Sequence, residues 1–512
     1  EGGRRKEEGG RRKEEGGRRK EEGGFREAGV TQEAGISAFF VRVFLCVPWT
    51  VLYCYEAASC RVLPPYSFVR LPCFIPYSFV RLPLLEERSS MAENTHSFAY
   101  LFERFPSFVQ TFVYREAEEM VRQKVNPLLV SVREPEDAEE LRHKTGTDVV
   151  YLPSEKALRA EIEERRHTFS SAQRRALSHW RSLPDSGRIF EALWLGQKLK
   201  EKGIRHVHAH FGALAARTAW HLQQLWGIGY SFTGHANDIF CETDFPVSNS
   251  KIANGARFIV TETDFARQWM EQKHPSTKGH VFRVFNGIRL DEFPAHVETP
   301  GVPCIVSVGR YVEKKGFPDL IAACALLRDR GVEFQCSIIG DGPMREELTG
   351  LIAEKNLQQS VILTGPRAQD DVRQCIAAAH LSVLACRRDK DGGSDNLPTV
   401  IMEAMACGTP VVSTRVAGVP EMIDDGLNGL LLNEGDVAGL AAAMERLLKD
   451  KSLAQEMGAK ALKAAHEKFA IENSVARLLE LLVTYGRVQL PSDFLRDHPH
   501  LRLPWWKRLL GF

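Results

Sequence analysis

"PCIVSVGRYVEKKGFPDLIAACALLRDRG", residues 303–331, joins a short apolar, β-branched run to a stretch whose apolar positions recur every three to four residues. The first part has the length of a buried strand and the second that of a helix, with a basic turn between them. The unit recurs downstream. FQCSIIG (334–340) precedes GPMREELTGLIAEKN (342–356), and VILTG (361–365) precedes AQDDVRQCIAAAH (368–380); LSVLAC (381–386), a helix from Pro398 and PVVST (410–414) follow. Strands that are apolar throughout, each followed by an amphipathic helix, predict a parallel sheet covered on both faces. Residues 300–475 therefore read as a doubly wound α/β domain.

Residues 91–295 repeat the pattern more loosely, with SFAYLF (97–102), NPLLVSV (126–132), IRHVHAHF (204–211), GYSFTG (229–234), RFIVTE (257–262) and HVFRVF (280–285) as strand candidates. The polar, Pro- and Gly-containing stretch GIRLDEFPAHVETPGV (287–302) reads as a linker. Two such domains in series enclose a cleft, with strand C-termini directed into it.

The first ninety residues differ in kind. GGRRKEE occurs three times in tandem (2–8, 9–15, 16–22) and PYSFVRLP twice (65–72, 76–83), and the first methionine is Met91. The charged repeat predicts disorder. The apolar run from Ile36 to Tyr55 approaches the length of a membrane span but is interrupted by Arg42 and Pro48. Residues 1–90 are expected to lie outside the fold, as an extension or as upstream sequence.

In the 512-residue chain, 67 Lys and Arg against 66 Asp and Glu leave a net charge near +1, which gives no bulk reason to expect a nucleic-acid partner. None of the 11 cysteines forms a C-x-x-C pair, and several sit in apolar runs as reduced core thiols do. A reducing, cytoplasmic setting is expected. No G-x-G-x-x-G follows a strand, so a nicotinamide dinucleotide site has no fingerprint.

Two features of the 300–475 domain point to an anionic ligand. Arg310 and Lys315 lie in a strand-to-helix loop at the edge where open α/β sheets bind ligands. In SDNLPTVIMEAMACGTPVV (394–412), Pro398 suits the first helical position, so amides near Leu397 and Thr399 are left to face the same edge. Asp395 and Glu403 flank that helix start, eight positions apart. Carboxylates on either side of an anion-binding centre can accept from hydroxyls at the two ends of a ligand, and hydroxyls flanking a diphosphate describe a nucleotide sugar. Taken singly, the same residues also suit solvated loop cations and the surface acid of an amphipathic helix.

These blocks, VGRYVEKKGFPDLI, GDGPMREEL, VILTGP, LPTVIMEAMACGTPVVST and GVPEMIDDGLNGLLL among them, resemble retaining glycosyltransferases of family 4, which have the GT-B fold and an E-x7-E signature. YLFERFPSFVQTFV, VHAHFG and FTGHANDIF carry a weaker resemblance in the first half, and the flavour is that of exopolysaccharide and colanic-acid-type transferases. The resemblance implies two Rossmann-like domains, the first on the acceptor side and the second binding the nucleotide sugar, with residues 476–512 packing back on the first. It implies that Arg310 and Lys315 neutralise the diphosphate, that Glu403 binds the ribose, and that Asp395 faces the donor sugar where the family usually has Glu. It brings His235 toward sugar and diphosphate from the opposite domain, and adds Gly393 and Gly365 to Leu397 and Thr399 as substrate-binding positions. A hexose would pass with retention, by front-face attack, to a glycan or lipid-linked acceptor, without metal or other cofactor.

Competing patterns are weaker. Asp389 and Asp391 spell D-x-D, a metal-binding pattern that is common by chance. His206, His208 and His210 alternate along one strand, too widely spaced to share one zinc ion, and read as core or rim histidines. Asp341 in GDGP reads as turn chemistry, Met402 and Met405 as core, and Glu421 has no assigned role. The aromatic, basic tail LRLPWWKRLLGF (501–512) suits packing on the first domain and leaves peripheral membrane contact open. The alternatives are a non-catalytic nucleotide-sugar sensor of the same fold, with Asp395 in its favour, and a phosphorylase using pyridoxal phosphate, for which no decisive lysine stands out.

Overall fold

The computed structural model describes residues 96–106, 111–135, 148–241, 243–297, 299–390 and 392–502. The two N-terminal repeats, the Ile36–Tyr55 run, Met91, Asp391 and the tail tryptophans Trp505 and Trp506 lie outside the described residues. The described chain forms two parallel sheets wrapped by helices. Both are Rossmann-like, and the architecture is GT-B.

The first sheet has seven strands: β1 (Ala99–Arg104), β2 (Leu128–Arg133), β3 (Val149–Tyr151), β4 (His206–His210), β5 (Gly229–Gly234), β6 (Ile259–Thr261) and β7 (Val281–Arg283), in the order β3-β2-β1-β4-β5-β6-β7. The second has six: β8 (Cys304–Val308), β9 (Gln335–Ile339), β10 (Val361–Gly365), β11 (Leu381–Leu384), β12 (Val411–Thr414) and β13 (Leu430–Leu432), in the order β10-β9-β8-β11-β12-β13. In each sheet the order reverses once, between β1 and β4 and between β8 and β11, where Ile305 is paired with Leu381. The loops leaving two strands at such a reversal turn to opposite faces and open a crevice above the carboxyl ends. Arg310 and Lys315 follow β8, and the 386–398 segment follows β11, so both border the second reversal.

The apolar strand runs are buried from end to end in β11 and β12. The helix Phe317–Asp329 closes the sheet with Phe317, Leu320, Ile321, Cys324 and Leu327, a stripe with helical spacing that is shut off from solvent. In the first lobe β4 departs from that pattern: HVHAH is entirely buried although three of its five residues are histidines. Their rings are satisfied internally. His206 and His208 share Ser231 Oγ at 2.9 and 2.7 Å, and His208 also reaches Thr233 Oγ1 at 2.9 Å.

The described chain crosses between lobes twice, and the crossings hold each other. Ile288 N donates to Phe469 O at 2.8 Å and Ile471 N to Ile288 O at 3.1 Å. Beyond the second crossing, the helix Ile471–Thr484 packs on the first lobe, where Val475, Leu478, Leu479 and Leu482 share a core with Phe98, Tyr100 and Met120.

Candidate functional site

The turn after β8 is forced close to β11 by Gly316, whose φ is +64° and whose position would set a Cβ only 1.6 Å from the Ala385 carbonyl oxygen. No side chain fits there, so the turn Glu313–Lys315 is pressed over the end of β11. The Lys315 stem then lies across Gly309, and its ammonium meets Asp395 Oδ2 at 2.5 Å while Lys314 Nζ meets Oδ1 at 3.1 Å. Burial opposes the charge on Lys315, but Asp395 outweighs it and raises the lysine pKa; burial likewise opposes the Asp395 carboxylate, and the two lysines outweigh it and lower its pKa. Arg310 is exposed beside this cluster. Three cations against one carboxylate leave the mouth of the crevice with a net charge of +2.

The helix Thr399–Cys407 starts one residue later than expected, with Pro398 as its N-cap. Proline has no N–H to give, and no hydrogen-bond acceptor for the amides of Leu397 and Thr399 is present among the described residues. These amides and the positive end of the helix stand next to the lysine cluster, as an anion site requires. The helix is apolar on all sides, with Val400, Ile401, Met402, Ala404, Met405, Ala406 and Cys407 buried. Glu403 is its single charged residue and is not the surface acid of an amphipathic helix: its side chain is 13% exposed. Burial raises the Glu403 pKa, opposed chiefly by Arg115. Arg115 belongs to the first lobe, on the helix Thr111–Arg122, and its Nη2 lies 3.6 Å from Glu403 Oε1.

His235 follows β5 in the first lobe, where its ring is buried and bonded to groups of the same lobe. Nδ1 is 2.5 Å from Glu262 Oε1 and Nε2 is 3.2 Å from His210 Nδ1. His210 Nε2 in turn reaches Tyr100 Oη at 2.6 Å and Glu116 Oε1 at 3.1 Å. Both ring nitrogens of His235 are therefore engaged, because Glu262 and His210 supply partners inside the lobe. What His235 offers the second lobe is its carbonyl oxygen, which accepts from Asn396 Nδ2 at 2.9 Å. Asn396 Oδ1 accepts from Thr263 Oγ1 at 2.6 Å, so the residue next to Asp395 is gripped by the first lobe from both ends of its amide.

Glu421 acquires a role here: its carboxylate accepts the amides of Asp264 and Phe265, both at 2.8 Å, and so caps the first-lobe helix Asp264–Lys273 from across the interface. Gly393 is buried, and its amide is spent on Asp389 Oδ1 at 2.6 Å, which closes the loop before Asp395 and occupies the first acid of the D-x-D pattern. Gly365 ends β10 at the sheet edge and accepts the Gly340 amide at 3.1 Å; no contact joins it to the lysine cluster among the described residues. Asp341 accepts from the Gly342 amide and from Arg345 Nε, both at 2.8 Å, which is turn chemistry. Lys314, Asn396, Thr263 and Arg115 carry no distinguishing sequence spacing and emerge only from the coordinates.

Residues 289–464 match the family model described as Glycosyl transferases group 1. The amylovoran biosynthesis glycosyltransferase AmsK of Erwinia amylovora is 38% identical over 143 residues, 28% of this chain and 35% of that protein. A putative colanic acid biosynthesis glycosyltransferase of Escherichia coli, WcaL, is 34% identical over 217 residues, 41% of this chain and 52% of that protein. The chain thus spans about a third to a half of the length of these relatives. Anabaena HepE, solved in complex with UDP, superposes with a TM-score of 0.58 at 18% identity over 75% of this chain and 100% of that one, which establishes the shared fold. Its second lobe thus matches the group 1 model, its two lobes share the GT-B fold, and the chain is similar to glycosyltransferases named for exopolysaccharide biosynthesis.

Proposed function

We propose that this chain transfers a hexose from a nucleoside-diphosphate sugar to a glycan or lipid-linked acceptor in the assembly of a cell-surface polysaccharide, with retention and without a metal. The reading is carried by one observation: a net-positive lysine cluster and unspent helix amides meet at the β8/β11 reversal, with Asp395 and Glu403 on either side. The names of the relatives support the pathway class, and the UDP complex of HepE supports a nucleotide donor.

Breaking the glycosidic bond leaves growing negative charge on the departing diphosphate. An ammonium has three N–H donors, and Asp395 engages one face of Lys315, which leaves donors for phosphate oxygens. Arg310 and the Leu397 and Thr399 amides complete the cradle. Groups already fixed before reaction stabilise that charge without reorganising at the barrier. Asp395 takes a positioning role for Lys315, and its one-methylene shortening relative to Glu keeps it on the cation side of the crevice. Glu403 accepts from ribose hydroxyls. With the leaving phosphate oxygen held beside the acceptor hydroxyl, it removes the acceptor proton on the same face, so no protein nucleophile is required.

Release of nucleoside diphosphate from donor sugars in the presence of acceptor tests the reading. Lys315→Ala is expected to slow transfer at least ~100-fold, and EDTA is expected to leave the wild-type rate unchanged. Wild-type turnover in Lys315→Ala would remove the leaving-group role; loss of turnover with EDTA would restore a metal mechanism.

A further inference from the structure

Arg115 is 3% exposed, yet its terminal nitrogens Nη1 and Nη2 have no hydrogen-bond acceptor among the described residues. The single ion pair it forms among the described residues, with Glu403 at 3.6 Å, is longer than a hydrogen bond. A guanidinium withdrawn from water without acceptors is expensive, and such a group in a native fold calls for an explanation. The helix that carries it is otherwise well anchored. Glu118, one turn on, pairs with Arg289 at 3.5 Å, and Arg122 pairs with Glu472 at 3.2 Å. Arg115 is thus held firmly by its helix and directed across the lobe boundary at the carboxylate beside the helix amides.

We infer that Arg115 is the first lobe's ligand to the nucleotide, donating its unspent Nη groups to the phosphate adjoining the ribose that Glu403 binds. The inference rests on the proposed function. It makes the donor site a product of both lobes: the second lobe supplies Lys315, Arg310 and the helix amides, and the first supplies a cation that reaches the phosphate only while the helix Thr111–Arg122 is docked. The 3.6 Å ion pair keeps the buried guanidinium neutralised until the nucleotide enters. A bidentate guanidinium suits phosphate oxygens better than the single distant carboxylate oxygen it faces.

The experiment is calorimetric titration of the full chain with UDP, GDP, ADP and dTDP, followed by a double-mutant cycle of Arg115→Met, Glu403→Gln and both together on the diphosphate that binds the wild type. Arg115→Met is expected to weaken binding at least ~10-fold, about 1.4 kcal/mol, and the double variant to be weaker than Glu403→Gln alone by the same factor, because the two residues hold different parts of the ligand. Arg115→Lys should recover part of the loss. The double variant removes both charges and so leaves no buried ion unpaired, which separates a binding loss from failure to fold. If the double variant binds as well as Glu403→Gln alone, Arg115 serves Glu403 only and the inference is overturned. Unchanged affinity in Arg115→Met overturns it equally, with the donor reading intact. A wild type that binds none of the four diphosphates ends the donor reading and this inference with it.

Discussion

At the scale of the residue, the balance between desolvation and pairing decides which charges this protein can keep. Lys315 and Asp395 each resist burial, and each is held in its charged form by the other. Asp395→Asn would leave two lysines facing a neutral amide, so Lys315 becomes easier to deprotonate and the cluster loses a fixed geometry rather than a cation. His235 allows a pH test. Burial disfavours its charge, but Glu262 at Nδ1 outweighs this and raises its pKa above 6.5, with Asp238 and Glu116 adding to it. A raised folded-state pKa gives stability that is fully present below the unfolded value and is lost as pH rises through the folded one. The melting temperature of His235→Asn should therefore fall furthest below wild type near pH 6, and the gap should narrow by pH 9; a gap that widens with pH would contradict the assignment. Lys315, Asp395 and Glu403 could be read from spacing and family resemblance. Arg115 could not, because YREAEEMVR carries five charges in nine residues and reads as a solvated helix face. The ring partners of His235 were equally hidden, since they depend on where β4 places His210.

At the scale of the element, strands set in longer apolar runs were legible, including the three-residue β6 in RFIVTE and β7 in HVFRVF, and β3 and β13 were not. β8 through β12 were visible as apolar runs between helical periods. β3 and β13 are three-residue strands that the reading of apolar runs did not single out, and they join the sheets at the edges by pairing with β2 and β12. The turn between β8 and its helix was legible as basic, but not as tight. Its tightness comes from Gly316, whose position admits no Cβ because Ala385 O is 1.6 Å from where one would sit. Gly316→Ala must both adopt a left-handed φ and push the turn off β11. It is expected to destabilise the protein by more than ~1 kcal/mol and, by displacing Lys315, to weaken nucleotide binding as well. Denaturant unfolding with parallel titration checks this; full affinity in a stable Gly316→Ala would show that the turn's closeness to β11 does not matter to the site.

At the scale of the whole molecule, the two sheets were foreseeable and their contact was not. Asn396, Thr263, His235 and Glu421 meet across the lobes through hydrogen bonds between groups that no sequence period links. Glu421 adds to the Thr263 N-cap of a helix in the other lobe by accepting two more of its first amides, and Glu421→Ala should cost about 1 kcal/mol by loss of those bonds and of a carboxylate well placed at the helix dipole. Thermal unfolding checks it, and an unchanged midpoint would mean that the cap is replaced by water without loss. Because Asn396 adjoins Asp395, the same contact ties lobe docking to the geometry of the lysine cluster around Asp395.

The central claim is that the β8/β11 crevice receives a nucleoside diphosphate. The most direct measurement is the unfolding free energy of the wild-type chain with each common nucleoside diphosphate, alongside Lys315→Ala. One of them, at 100 times its dissociation constant, should raise stability by about 2.7 kcal/mol, and the same concentration should give much less in Lys315→Ala. No stabilisation by any of them, or equal stabilisation of both proteins, would contradict the account.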